Sequence, residues 1–380
     1  MTTDMERVAD AIRAFENGEI VVVMDDDDRE NEGDLIVAAV HCTPEKMAMI
    51  IRHTSGIVCA PMPVEEARRL NLAPMVAEND APHSTAFTVS VDYRHDTTTG
   101  ISAEERCSTV RGLANPNSGP SDFVRPGHIF PLVARSGGVL MRSGHTEAAV
   151  DLCNLAGLPP VGVISELVND DGTVMRGPQI NAFAEDKGLK TVTVADLIAY
   201  RQRQENLVER VESFETQTAS GPAMAHTYKT QWDPMQQLAV VYGDIRDGRN
   251  VLVRLHIENV LDDAFGGSSA LRDNVDLIAR EGRGVIVYLR EGSVGVAASS
   301  MRSDGESEGS PRHEPAFGDE REEHGTAQSR KEEWLEIGLG AQILKDLGVS
   351  SIRLLASKER HYVGLSGFGI EIAETITGDA

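Results

Sequence analysis

Between two strand-like runs lies Asp25-Asp-Asp-Asp-Arg29-Glu30-Asn-Glu32-Gly33-Asp34, with seven carboxylates in ten residues. Like charges this dense repel one another, so a compact arrangement needs a counter-charge. An acid run by itself is ordinarily a solvated turn. This one interrupts two apolar segments, and the embedded Arg29 and Gly33 point to a shaped loop. Hard oxygen donors at this density suit Mg²⁺ or Mn²⁺, with substrate oxygens and water completing the shell. An EF-hand is excluded: counted from Asp26, the sixth position is Asn31, not glycine, and the twelfth is Val37, not glutamate.

A second constellation is Arg142-Ser143-Gly144-His145-Thr146, where a strand-like run gives way to a helical one. Helix-start N–H groups, a preceding glycine and an arginine make a phosphate site. His145 at that turn is placed to ligate a cation held by the acidic loop, although a lone histidine there is more often a cap or a surface residue. Glu166 lies inside the apolar run Val161–Val168. A carboxylate in such a strand must be paired, metal-bound or shifted in pKa, which makes it a catalytic candidate. His128, in the stiff turn Arg125-Pro-Gly-His128, stays open between a structural and a chemical role. Cys59, after Ser55-Gly-Ile-Val, reads as a small core residue.

The elements that must position these groups alternate between short β-rich runs and helical patterns. Strands are predicted over Glu19–Val23, Leu35–Val40, Phe87–Asp92 and Val161–Leu167, with a strand pair over His128–Ala134 and Gly138–Arg142. Helices are predicted from Thr43-Pro44, an N-cap and first-turn proline, to about His53, from the capping box Ser102-Ala-Glu-Glu105, over Thr146–Leu155, and from Val194 onward. This is an α+β pattern, an α/β sandwich, of about 200 residues. The chain then turns polar from Arg201 to His226, and β-rich and helical runs resume at Gln237–Tyr242, Asn250–His256, Leu271–Leu289 and Gly338–Leu355. We therefore expect a first domain over 1–204, a linker over 205–228 and a second α/β domain over 229–380. Residues 302–331, nearly free of large apolar side chains, are predicted to be a disordered loop.

The 380 residues carry 60 acidic and 36 basic side chains, a net charge of −24, which leaves no basic stripe for nucleic acid. No apolar run approaches the roughly 20 residues that span a bilayer. The acidic start fits no signal or transit peptide, so the expected location is the cytoplasm, with no membrane partner. The four cysteines, Cys42, Cys59, Cys107 and Cys153, are widely spaced, and none follows Cys153. Neither a disulfide framework nor a zinc cage is indicated.

Together the blocks become specific. The acidic stretch, Arg52-His-x-Ser55-Gly-Ile-Val-Cys59, Thr98-Thr-Gly-Ile-Ser-Ala, Arg125-Pro-Gly-His128 and Arg142-x-Gly-His-Thr-Glu147 stand in order over residues 5–202. They resemble 3,4-dihydroxy-2-butanone 4-phosphate synthase. The resemblance implies conversion of D-ribulose 5-phosphate to the four-carbon riboflavin precursor with release of formate. It also implies two Mg²⁺ (or Mn²⁺) ions per site and a homodimer with sites near the subunit interface. Carried over residue by residue, it makes Glu30 and His145 the metal ligands. Arg29, Glu30, Asp34, Arg142, Ser143, Gly144, His145, Thr146 and Glu166 become substrate contacts, and His128 and Glu166 the catalytic pair.

The second domain resembles GTP cyclohydrolase II in Leu238-Ala-Val-Val-Tyr-Gly-Asp, Val251-Leu-Val-Arg-Leu-His256, Gly282-Arg-Gly-Val, Gly340-Ala-Gln-Ile-Leu and Leu347-Gly-Val. The three cysteines of that family's zinc cage align with Asn259, Ala270 and Arg272. Its nucleotide motif reads Leu289-Arg290-Glu291-Gly292-Ser293 here, and its catalytic Asp-x-Arg pair aligns with Glu333 and Leu335. Zinc and GTP hydrolysis are therefore not expected of this domain.

Overall fold

Val21, Val22 and Val23 are all fully buried, yet they feed two different cores. Successive strand side chains point to opposite faces. Val22, Leu35 and Val37 join one cluster, and Val21, Val23, Ile36 and Ala38 join the other. A strand buried on both faces needs helices above and below the sheet. The computed structural model describes residues 4–25, 30–81, 85–95, 97–230, 235–265, 270–290, 338–356, 365 and 368–377. It divides into two compact units, Met1–Arg201 and Gln202–Ala380.

The first unit contains strands β1 (Val21–Met24), β2 (Gly33–Ala38), β3 (Cys59–Met62), β4 (Val91–Tyr93), β5 (Phe123–Val133), β6 (Gly162–Glu166) and β7 (Lys190–Thr193). They form one mixed sheet in the order β4-β5-β3-β6-β2-β1-β7. Its helices are α1 (Asp4–Glu16), α2 (Pro44–His53), α3 (Val64–Arg69), α4 (Ala103–Ala114), α5 (His145–Leu155), α6 (Gly177–Lys187) and α7 (Val194–Gln204). Met47, Ile50, Val110, Leu113 and Ile180, from α2, α4 and α6, cover one face. Val8, Phe15, Ala149, Leu152 and Leu197, from α1, α5 and α7, cover the other. The result is an α/β sandwich, and each fully buried aliphatic side chain contributes about 1.5–3 kcal/mol.

Local signals act where they were expected. Thr43 Oγ1 accepts the Lys46 N–H at 3.3 Å to start α2. Ser102 and Glu105 close a reciprocal capping box at the start of α4. One predicted strand is absent: Gly138–Leu140 is a single 3₁₀ turn. Asp151 on α5 accepts the Val139 N–H at 2.8 Å, so a buried carboxylate takes the place of a partner strand. Gly137 and Gly138 also take positive φ, which breaks the extended run.

The second unit holds β8 (Glu209–Thr218), β9 (Gly221–Lys229), β10 (Gln237–Tyr242), β11 (Val251–Ile257), β12 (Gly284–Leu289), β13 (Ser351–Ala356) and β14 (Glu371–Thr377). Their order is β14-β13-β11-β12-β10-β9-β8, parallel from β14 to β12 and antiparallel from β12 to β8. Helices α8 (Val260–Phe265), α9 (Ala270–Glu281) and α10 (Gly340–Asp346) accompany it. The expected linker over 205–228 is instead mostly the hairpin β8–β9, paired from Glu209↔Lys229 to Thr218↔Gly221. Nearly every residue of β8 is exposed, so its sequence lacks the alternation that marks a half-buried strand. Backbone pairing with β9 makes it a strand. The loop predicted over 302–331 lies outside the described residues.

The first unit should fold without the second, provided Arg201 is kept. Arg201 Nη1 donates to Asp151 at 2.9 Å and to the Gly137 carbonyl at 2.8 Å, pinning α7 to the turn before Arg142. A chain ending at Gln204 should melt cooperatively. Ending it at Tyr200 removes the guanidinium that pairs with the buried Asp151 carboxylate, which costs about 3–5 kcal/mol and should lower Tm by roughly 10 °C or more. Calorimetry of the two truncations checks this, and equal melting temperatures would show that the pair is dispensable.

Candidate active site

Asp25 follows β1, and its buried carboxylate closes the acidic loop on itself. Its Oδ1 accepts the Glu32 N–H at 2.8 Å and its Oδ2 the Glu30 N–H at 3.2 Å. The Asp25 N–H in turn donates to the Glu32 carbonyl at 3.2 Å. Asn31 takes a positive φ of 52° inside this turn, which asparagine tolerates. The loop therefore has a defined shape at Asp25 and from Glu30 onward. Residues 26–29, among them Arg29, lie outside the described residues.

The strand register then brings in the remaining carboxylates. Asp34 on β2 pairs with Glu166 on β6, and Leu35 with Ser165. Asp34 is only 1% exposed. Burial foremost, then the charges of Glu166, Glu30, Glu32 and Asp25, push its carboxyl well above the usual range. Glu32 is raised for the same reasons, burial first, with Arg176 acting against the shift. Ser55 Oγ donates to Glu166 Oε2 at 2.8 Å, and the Ser55 N–H bonds the Glu166 carbonyl at 2.8 Å. Glu166 is thus held by backbone and side chain together.

Helix α5 delivers the imidazole. Gly144 caps it and His145 is its first residue, so the helix start points at the acid cluster. Ligand atoms of Asp25, Glu30 and His145 lie within 4.8 Å of one another. Asp34 Oδ1, 3.8 Å from His145 Nδ1, is buried with no hydrogen bond among the described residues. Two carboxylates, an imidazole and a buried acceptor oxygen behind them make the donor set of a hard divalent cation. Arg142 Nη1 donates to Glu147 Oε2 at 2.7 Å, and its Nη2 donates to Thr85 Oγ1 at 3.1 Å. That guanidinium shapes the Ser143–Thr146 turn from within.

His128 belongs to a different cluster. Asp92 Oδ2 lies 2.7 Å from His128 Nδ1, and Asp92 Oδ1 accepts the His128 N–H at 2.8 Å. One carboxylate so holds both the ring and the backbone, leaving Nε2 as the ring nitrogen turned away from Asp92. Two motif glycines make room for it. A Cβ on Gly100 would lie 2.0 Å from Asp92 Oδ2, and one on Gly127 would lie 2.0 Å from the Val91 carbonyl carbon.

Comparison with known proteins identifies the family. Residues 9–200 match the family model of 3,4-dihydroxy-2-butanone 4-phosphate synthase, and residues 209–377 match GTP cyclohydrolase II. The chain belongs to the 3,4-dihydroxy-2-butanone 4-phosphate synthase family, enzymes of riboflavin biosynthesis. It is 45% identical over 378 residues to a chloroplastic monofunctional riboflavin biosynthesis protein of Arabidopsis thaliana, covering 98% of this chain and 77% of that one. A chloroplastic bifunctional protein of the same plant is also 45% identical, over 381 residues, with 98% and 68% covered. Among solved structures, a two-domain synthase from A. baumannii matches with a TM-score of 0.80 and 34% identity, covering 98% of this chain and all of that one. A synthase in complex with two magnesium ions matches with a TM-score of 0.51 and 50% identity, over 52% of this chain and 97% of that one.

Set beside the synthase motifs, the structure brings Glu30, His145, Asp34 and Glu166 together and keeps His128 with Asp92. Sequence reasoning did not single out Asp25 as a ligand, Asp92 as the partner of His128, or Ser55 as the clamp on Glu166. The glycines of Thr98-Thr-Gly100 and Arg125-Pro-Gly127 were the available signal for Asp92. Glu105 secures the first of those motifs. It accepts from the Thr98 N–H and hydroxyl and from the Ser102 N–H, bonds that bring its carboxyl down to about 2, those from Thr98 contributing most. A depressed carboxyl contributes stability that is present above its unfolded value of about 4.5 and lost as pH falls through about 2. The Tm gap between the native chain and Glu105→Gln should therefore be widest near neutral pH and shrink between about 4.5 and 2. A gap that does not change with pH would refute the ionised cap.

Proposed function

We propose that the first domain, residues 1–204, converts D-ribulose 5-phosphate to L-3,4-dihydroxy-2-butanone 4-phosphate and formate. The observation that carries this reading is the convergence of Asp25, Glu30 and His145 at the start of α5, beside Asp34 and Glu166. These three would hold Mg²⁺, and the two magnesium ions in the similar synthase structure support two per site. When bound, the cations supply Lewis-acid polarisation of the ketose carbonyl and stabilise developing enediolate charge. Glu166, fixed by Ser55, holds a carboxylate ready to take a proton from a sugar carbon. His128, with Nδ1 committed to Asp92, exchanges protons through Nε2. The N–H groups of α5 behind Ser143, Gly144 and Thr146, with Arg29, bind the phosphate, which does not react and anchors the reacting carbons. A homodimer belongs to the same proposal: Ile57, beside Ser55, and Ile101, beside Gly100, are each about half exposed, as an interface near the site requires.

Glu30→Gln and His145→Ala should each lower turnover of ribulose 5-phosphate by about 10³-fold or more, with circular dichroism unchanged. EDTA should abolish activity and Mg²⁺ should restore it. Full turnover in EDTA would sink the cation assignment.

The second unit, on this reading, does not open GTP. Opening the purine ring needs an activated water, and bound zinc supplies it by lowering that water's pKa to about 7. Asn259 and Arg272 stand where thiolates would bind, and no cysteine follows Cys153. The Asp263 carboxylate beside Asn259 is already engaged. Asp263 accepts from the Asn259 N–H at 3.0 Å and the Tyr288 hydroxyl at 2.7 Å, and its oxygens lie 2.9 and 3.0 Å from His256 Nε2. The two-domain synthase and the monofunctional plant protein support this reading, and the bifunctional relatives favour the alternative. Elemental analysis should find no stoichiometric zinc, and GTP should yield neither formate nor pyrophosphate. Zinc together with GTP turnover would establish a bifunctional enzyme.

A further inference from the structure

One arginine outside the motifs ties the strand that carries Glu166 to the loop that carries Glu30. The turn after β6 is closed by the Val168↔Val174 bridge and by the Met175 N–H on the Leu167 carbonyl at 2.9 Å. It delivers Arg176 as the N-cap of α6. From there the guanidinium reaches back to the acidic loop. Its Nη1 donates to the Glu30 carbonyl at 2.6 Å, and its Nη2 lies 3.8 Å from Glu32 Oε1. Helix α6 continues the contact, with Ile180 packed over Gly33.

The two contacts of Arg176 differ in weight. Its side chain is 56% exposed, and an ion pair that open contributes little. The bond to the Glu30 carbonyl is short, charge-assisted and made to the backbone of a cation ligand. Metal sites function only when their supporting contacts hold ligands within about 0.5 Å of the productive geometry. We propose that Arg176 is a positioning residue for the cation site, holding the Glu30 backbone so that the Glu30 carboxylate meets Asp25 and His145. This rests on the cation reading given above.

Position and charge predict opposite signs here. A purely electrostatic Arg176 repels cations, so removing it would tighten their binding; a brace predicts weaker binding. Mn²⁺ titrated calorimetrically into the full chain, without substrate, separates the two. The native chain and Arg68→Ala, an exposed arginine on α3, should bind Mn²⁺ equally, and Glu30→Gln should lose the site. Arg176→Ala should bind about tenfold more weakly, the loss of one charge-assisted hydrogen bond, and Arg176→Lys should recover part of that. At saturating Mg²⁺, kcat of Arg176→Ala should stay within about threefold of native, because the ligands themselves are intact. Unchanged or tighter Mn²⁺ binding by Arg176→Ala, with Glu30→Gln still deficient, overturns the brace and spares the cation site. No Mn²⁺ binding by the native chain overturns both. If Arg176→Ala fails to fold, Arg176→Gln carries the same comparison.

Discussion

Five carboxyl groups, those of Asp25, Glu30, Glu32, Asp34 and Glu166, act on one another at one end of the first sheet. Two like charges about 4 Å apart near a protein surface repel by roughly 4 kcal/mol, so this cluster works against the fold. The described residues offset part of it: Arg176 stands at the rim, Asp25 is spent on backbone N–H groups, and Asp34 is pushed toward its neutral form. On the proposed reading, the charge that remains is balanced by a small divalent cation. The unit stores unfavourable electrostatics where its chemistry needs a positive charge.

That constraint explains the placement of the surrounding elements. Strand β2 lies between β1 and β6, so the register fixes Asp34 opposite Glu166 on one side and Val23 on the other. Helix α5 aims its N-terminus at the cluster, where the macrodipole is positive, and so complements the carboxylates while presenting His145. The buried Asp151–Arg201 pair and the Arg142–Glu147 pair lock the turn that leads into that helix. Helix α6 meets the loop through Arg176 and Ile180. His128 is served by its own support, in which Asp92 fixes the ring and two glycines admit Asp92.

On the proposed reading, the second unit keeps its fold without the thiol ligands of its family. Its parallel strands still bring His256 and Tyr288 side by side, stacked 5.4 Å apart. Their polar atoms now converge on Asp263, which burial and hydrogen bonding leave with little capacity for another partner. A carboxylate saturated this way serves as a strut between strands and helix α8.

Much of this was legible in the sequence because the relevant physics is short-range. Capping residues, the buried strands around the acidic loop, and the glycine-histidine step at α5 all act within a few residues of themselves. The motifs named the families of both units, and the missing thiols were visible at Asn259, Ala270 and Arg272. The tertiary structure decided the rest. Strand β8 could not be read, since a strand exposed on both faces has no hydrophobic period and owes its form to β9. Asp92, Ser55 and Arg176 acquire roles only through partners far along the chain, and Asp25 meets His145 in the same way, set by strand register and helix placement. Residue type and spacing determined which groups were able to do chemistry. Packing alone determined which of them meet, because convergence in space depends on long-range register that no local pattern encodes.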